Sequence, residues 1–241
     1  MQVNDGETDF YAPQRSDQFV LGFDRLIGDR IELRVEAYEK SMGDLRPRFE
    51  NLLNTRVLLP ELKPDRIRIA PTSARARGAE IAVDGRTGAY RWWSAISFAR
   101  VRDRINNVDV LRSWDQTYAV SSGFSWDSTH WNLSTGIVYR SGWPTTPVAF
   151  NGSTPVPTVT TLARNSERMR AFGSIDIRVS RKIVLESGEL SASLELANMT
   201  NRANPCCFEY EIGEEPNAGQ LVLDELYYLP TIPSIGMLWK F

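Results

Sequence analysis

The sequence predicts an all-β protein, an antiparallel up-and-down meander of about nine long strands with the pattern of a transmembrane barrel wall. Three observations predict it. Apolar residues recur with period two, short and long connections alternate along the chain, and aromatic residues gather at strand ends.

The first strand, Ser16 to Ile27, places Phe19, Leu21 and Phe23 on one parity. Gly28-Asp29 turns the chain into a second, Arg30 to Lys40, where Ile31, Leu33, Val35 and Ala37 alternate with Glu32, Arg34 and Glu36. A long irregular segment with Pro47, Pro60, Pro64 and Pro71 follows. The third strand, Ala74 to Asp84, sets Ala79, Ile81 and Val83 opposite Gly78, Glu80 and Ala82. A tight turn at 85–88 leads to the fourth, Ala89 to Asp103, with Trp92, Ile96 and Phe98 on one face. After a polar stretch, Gln116 to Trp126 alternates cleanly, with Tyr118, Val120, Ser122, Phe124 and Trp126 together. A short turn at 127–130 leads to the sixth strand, Trp131, Leu133, Thr135, Ile137 and Tyr139. Residues 141–167 are rich in Pro, Thr, Gly and Ser and read as loop. The seventh strand, Arg170 to Arg181, and the eighth, around Leu190 to Leu196, flank the turn at 186–188. The ninth, Ile232 to Phe241, carries Ile235, Met237, Trp239 and Phe241 on one side.

A soluble antiparallel sheet also has one polar and one apolar face. The connections favour lipid on the apolar side. Short turns at 28–29, 85–88, 127–130 and 186–188 fall on one edge, and long loops at 41–73, 104–115, 141–168 and 199–231 fall on the other. Trp126 and Trp131 flank a short turn while Tyr118 and Tyr139 lie near the long-loop edge, as interfacial girdles require. The second face, with Glu80, Asp176, Arg178 and Glu195 among Ser and Gly, suits a wet lumen better than a dry core.

Composition narrows the class. The 241 residues carry 28 basic and 30 acidic side chains, a formal charge of -2, which argues against a nucleic-acid partner. No apolar run reaches the roughly 18 residues that a membrane helix needs, so a membrane span here is built from strands. The first ten residues have neither a basic nor an apolar signal region. Cys206 and Cys207 are adjacent, which suits free or vicinally oxidised thiols in a loop rather than a zinc site.

Five motifs, in order, add a resemblance. Ala76-Arg77-Gly78-Ala79-Glu80, Ser113-Trp114-Asp115-Gln116, Ser141-Gly142-Trp143-Pro144-Thr145-Thr146-Pro147, Asn198-Met199-Thr200-Asn201-Arg202 and terminal Phe241 resemble the C-terminal barrel of TonB-dependent outer-membrane receptors. The resemblance covers nearly the whole chain. It implies a barrel of about 22 strands around an N-terminal plug, located in the outer membrane of a Gram-negative cell. The family imports scarce nutrients such as ferric siderophores, cobalamin or glycans. On this resemblance residues 1–241 are the C-terminal portion of that barrel, with the plug absent and the inner-membrane TonB complex reached only through it. Counted back from the terminal strand, nine strands cover under half of the wall. An odd number would close only through a parallel pair, so the chain is expected to be a truncated frame or an excerpt. In the family, the terminal aromatic strand is read by the barrel-insertion machinery, which makes Trp239 and Phe241 the expected assembly residues.

Candidate chemistry is thin. His130 is the sole histidine, so a Ser-His-Asp relay or a His-rich metal site would have one member; no catalytic residue, metal or cofactor is expected. Ligand contacts are expected on the long loops: Arg46 and Arg48 in a basic segment with Arg56, Lys63, Arg66 and Arg68, and Trp143 and Tyr210 as stacking platforms. The plainer reading of the basic segment, and the preferred one, is pairing with lipopolysaccharide phosphates or neighbouring loops. Glu209, Glu211, Glu214, Glu215, Asp224 and Glu225 make the last loop acidic, suited to a divalent cation or to solvent. The expected partners are outer-membrane lipid, lipopolysaccharide and a small-molecule ligand. Two alternatives stand beside this reading, a small outer-membrane barrel enzyme and a soluble all-β binding domain. The enzyme needs His and Ser together at the outer rim, whereas His130 falls at the opposite edge; the soluble domain is extractable without detergent.

Overall fold

The computed structural model describes residues 12–52, 65–151, 158–212 and 221–241, and every regular element among them is a strand. In chain order these are β1 (Arg15–Ile27), β2 (Ile31–Gly43), β3 (Arg48–Asn51), β4 (Arg66–Ile69), β5 (Ser73–Thr87) and β6 (Tyr90–Ile105). Next come β7 (Val108–Leu111), β8 (Tyr118–Asp127), β9 (Trp131–Arg140), β10 (Pro144–Thr145), β11 (Val148–Asn151) and β12 (Thr158–Thr161). The last six are β13 (Glu167–Arg168), β14 (Phe172–Leu185), β15 (Gly188–Ala197), β16 (Pro205–Ile212), β17 (Leu221–Tyr227) and β18 (Ile232–Lys240).

The nine expected strands are the path β1-β2-β5-β6-β8-β9-β14-β15-β18 of one antiparallel sheet. Each neighbour along the path is also the next long strand in sequence, which is the up-and-down meander. The short turns at 28–30, 88–89, 128–130 and 186–187 share one edge, and the long connections share the other. The long connections are less irregular than their Pro and Gly content suggests. They hold small hairpins of their own, β3-β4, β10-β13, β11-β12 and β16-β17, and β7 folds back on β6. The β6-β7 turn is Asn106-Asn107, with φ of 50° and 63°. Asparagine tolerates this left-handed geometry better than most side chains, and it matches the strand twist.

Register joins the apolar residues into one continuous face. Val35 lies opposite Ile81, Ile81 opposite Ile96, Ile96 opposite Val120, and Val120 opposite Tyr139. Further along, Val179 meets Leu194 and Leu194 meets Ile235. On the other face Glu36, Glu80 and Ser97 align across β2, β5 and β6.

Burial is the inverse of a soluble sandwich. Along the wall Phe19 is 71% exposed, Ile235 79% and Met237 76%. Among the described residues the buried apolar set is Ile69, Ala74, Met169 and Cys207, while Glu50, Asp103, Ser113, Asp115, Asn165 and Asn204 are buried polar residues. The apolar face is therefore open, and the enclosed part of the molecule is polar and sits beneath the long loops.

Candidate functional site

Two surfaces carry chemistry, the open apolar face and the polar knot at the base of the loops. On β8 the apolar face runs from Tyr118 to Trp126, eight residue steps. That is about 27 Å along the strand at roughly 3.4 Å per residue, or about 21 Å along a membrane normal at a tilt of about 40°. A bacterial outer-membrane barrel carries an apolar band about 25 Å tall. Aromatic rings mark both limits. Tyr118 and Tyr139 stack at 6.0 Å on the long-loop side. Tyr90 pairs with Trp126 across β6 and β8 near the short turns, where Arg181 covers the Trp131 ring at 5.3 Å.

Above the tyrosine level, three loop systems are tied together by ions. Arg48 of β3 holds Glu50 at 2.7 Å and Asp103 of β6 at 2.6 Å. Arg112, just after β7, grips the same Asp103 at 2.5 Å. Arg164, from the third long connection, bonds to Glu50, which also accepts the Ser113 hydroxyl at 2.5 Å. Asp115 is fully buried. Its carboxylate accepts the Val101 amide at 2.5 Å and the Arg168 guanidinium, closing β13 onto β6.

These groups stand beyond the apolar stretch of β6, on the long-loop side. Burial by itself would raise the Asp103 carboxyl, but hydrogen bonds and charge from Arg112 and Arg48 outweigh it and hold it below its ordinary value. Burial pushes the Arg164 guanidinium down. Burial also works against the Arg48 charge, but Asp103 and Glu50 prevail and raise it.

The sequence motifs form the remaining clamps. Gly142 lies against the Met169 carbonyl so closely that a Cβ there would sit 1.8 Å from its oxygen, which excludes any larger residue. Ser141 accepts the Thr117 amide at 2.9 Å, and the Thr146 hydroxyl accepts the Asn165 amide at 3.1 Å. Asn198 and Asn201 adopt positive φ, and Asn198 brackets Arg202 by accepting its amide and donating to its carbonyl. Asn204 bonds both the amide and the carbonyl of Gly173 at 2.8 Å, imitating a strand partner. The Tyr38 ring covers Gly78 on the polar face, so a Cβ there would meet it at 2.5 Å.

Of the residues expected to meet ligand, Arg46 is exposed and Arg48 is committed to the ion network. Trp143 packs on Arg140, whose guanidinium lies 5.0 Å from its ring and 4.5 Å from the Phe172 ring. Tyr210 belongs to β16, and its side chain lies outside the described residues. Arg56, Lys63, Glu214 and Glu215 also lie outside them, whereas Arg66 packs over Phe49 at 5.4 Å. The structure therefore does not gather Arg48 and Trp143 into one pocket; each closes a different part of the loop base. Trp239 pairs across to Leu190 and Phe241 follows β18, fully exposed.

Cys206 and Cys207 are in β16 rather than a loop, beside a register shift between Pro205 and Cys207, and their sulfurs lie 2.6 Å apart. His130 sits in the short turn, its carbonyl accepting the Lys182 amide. Among the described residues no group of three or more His, Cys, Asp or Glu is arranged to hold a metal.

The knot members Glu50, Asp103, Arg112, Arg164 and Arg168 escaped the sequence reading. Their partners lie up to 114 residues away, beyond any local pattern.

No protein-family model and no curated protein sequence matches the chain. The likeness lies in the fold. The ferripyoverdine receptor of the Pseudomonas aeruginosa outer membrane, bound to ferripyoverdine, matches with a TM-score of 0.60 at 14% identity, over 97% of this chain and 28% of that one. The ferric preacinetobactin receptor BauA from Acinetobacter baumannii matches at 0.60 and 15%, over 96% and 30%. The FrpB iron transporter from Neisseria meningitidis matches at 0.57 and 12%, over 95% and 32%. The chain has the fold of a stretch of the barrel wall of TonB-dependent receptors and spans about three-tenths of the length of these structures.

Proposed function

We propose that residues 1–241 form the C-terminal portion of the barrel of a TonB-dependent outer-membrane receptor that takes up a scarce nutrient, a ferric siderophore or similar chelate. The observation that carries this reading is the apolar face, in register across nine strands and left open, on a fold shared with receptors for ferripyoverdine and ferric preacinetobactin. In lipid, an open apolar face is solvated and every backbone group must find a partner. The edge strands β1 and β18 then pair with further strands of a barrel of about 22.

The wall's part in uptake is positional. The loop-base knot holds three long connections over the polar face, and the loops above it present ligand contacts. Arg46, exposed beside the knot, is the best placed of the expected residues to attract an anionic chelate, with Arg48, Trp143 and Tyr210 as supporting positions. Energy from the inner membrane enters through a plug held inside the complete barrel, and the barrel-insertion machinery reads the strand ending at Trp239 and Phe241. The protein acts as a receptor and transporter, not as an enzyme.

The test is accumulation of radiolabelled ferric chelates by cells with and without the gene. Loss of uptake for a hydroxamate, catecholate or mixed chelate, restored by the gene, is the expected result. Unchanged uptake across all three classes would contradict the iron-chelate assignment.

A further inference from the structure

Above the apolar band, the outward face of β5 and β6 becomes arginine. Within the band, Ala79 and Ile81 of β5 oppose Phe98 and Ile96 of β6. Past Phe98 the same parity puts Arg77 opposite Arg100 and Arg75 opposite Arg102, with Arg104 opposite Ser73. A groove of about 600 Å³ runs between these side chains, with Ser41 of β2 and Ser73 in its lining.

Its charge is not balanced from within. The Glu39 carboxylate reaches Arg75 at 3.4 Å and Arg77 at 3.1 Å, and Asp109 of β7 reaches Arg104 at 3.1 Å. Asp17 of β1, opposite Ser41, is held by Arg15. Five guanidiniums against Glu39 and Asp109 leave three positive charges unmatched. Like charges directly across strands destabilise a sheet, and here two such arginine pairs stand one above the other. An anion in the groove removes that repulsion. All five cations are arginine, whose planar fork grips phosphate through paired hydrogen bonds. The height is also informative: Arg100 lies two residues beyond Phe98, about 7 Å at roughly 3.4 Å per residue, where a lipid headgroup meets the wall.

We propose that this groove binds the phosphorylated headgroup of an outer-leaflet glycolipid of the lipid A type. The inference rests on the membrane reading above and adds a site to it. Guanidinium forks seat the phosphates while the acyl chains lie along the Phe98 and Ile96 surface below. Glu39 sets the strength of the site by withholding part of the charge of Arg75 and Arg77.

The test uses the full-length protein isolated in detergent from outer membranes, with bound lipid A quantified per protein. A variant with Arg75, Arg77, Arg100 and Arg102 all changed to serine should retain at least about tenfold less lipid A. Glu39→Gln, which removes the negative charge that partly neutralises Arg75 and Arg77, should retain more and resist higher salt. Lipid A stripped of phosphate should not rebind to delipidated protein, and inorganic phosphate should compete only weakly. Equal lipid A on wild type and the fourfold variant, or equal rebinding of dephosphorylated lipid A, would overturn the proposal. Inorganic phosphate binding as tightly as lipid A would also overturn it, in favour of a soluble anion. Absence of the protein from the outer-membrane fraction would remove the membrane reading itself, whereas presence there without lipid A dependence removes only this site.

Discussion

Replacing Asp115 with alanine deletes a fully buried carboxylate and takes the acceptor from three donors, the Val101 amide, the Arg168 guanidinium and the Thr117 hydroxyl. Breaking a buried ion pair by removing one partner costs about 3–5 kcal/mol. Asp115→Ala should therefore lower the thermal unfolding midpoint of the protein in detergent and open the 141–171 connection to trypsin. Asp103 adds a pH dependence. Its folded-state value is depressed, so its contribution is fully present above the ordinary carboxylate value of 3.8 and is lost as pH falls through the lower folded value. Pepsin should cut the loop base more readily at about pH 2 than at about pH 4 in the wild type. Asp103→Asn should be cut at both. Identical protection of the two proteins at both pH values would refute this role. None of these residues signalled its place in the sequence. Ser113-Trp114-Asp115-Gln116 stood out as a motif, but the burial of Asp115 and Ser113 beside an exposed Trp114 depends on arginines more than 50 residues away.

At the level of elements, the long strands were legible because each carries its own period-two pattern, and all nine appear near their expected bounds. The loop hairpins were not. β3-β4 and β16-β17 have mixed or charged faces, and β10 and β13 are two residues each, too short for any periodicity. The β6-β7 hairpin did carry a readable signal in Asn106-Asn107. The turn at 88–89 is tighter than expected because pairing of β5 with β6 continues to Thr87 and Tyr90. Face assignment makes a sharp prediction within β6. Ile96→Arg, in the middle of the apolar face, should cost about 2–4 kcal/mol and reduce insertion into the outer membrane. Ser97→Arg, one residue on and facing the other way, should insert normally. At the last strand, deletion of Phe241 should lower the amount of assembled protein more than the ligand affinity of what assembles; normal assembly would count against its role in insertion.

For the whole molecule, the decisive contrast is between an apolar wall left open and a polar knot kept closed. A soluble all-β domain must cover Phe19, Ile235 and Met237; a lipid-facing wall must not. The sequence shows the alternation and the loop asymmetry but not which ions bind the loops, because long-range partners are set only when the meander is folded. The account therefore depends on which face meets lipid. The most direct measurement is nitroxide scanning along β8 with Cys206 and Cys207 replaced by serine, in protein reconstituted in vesicles. Labels at Val120, Ser122 and Phe124 should be accessible to oxygen and shielded from a water-soluble nickel chelate, while labels at Ala119, Ser121 and Ser125 should show the reverse. No alternation, or alternation of opposite phase, would contradict a membrane-facing apolar wall.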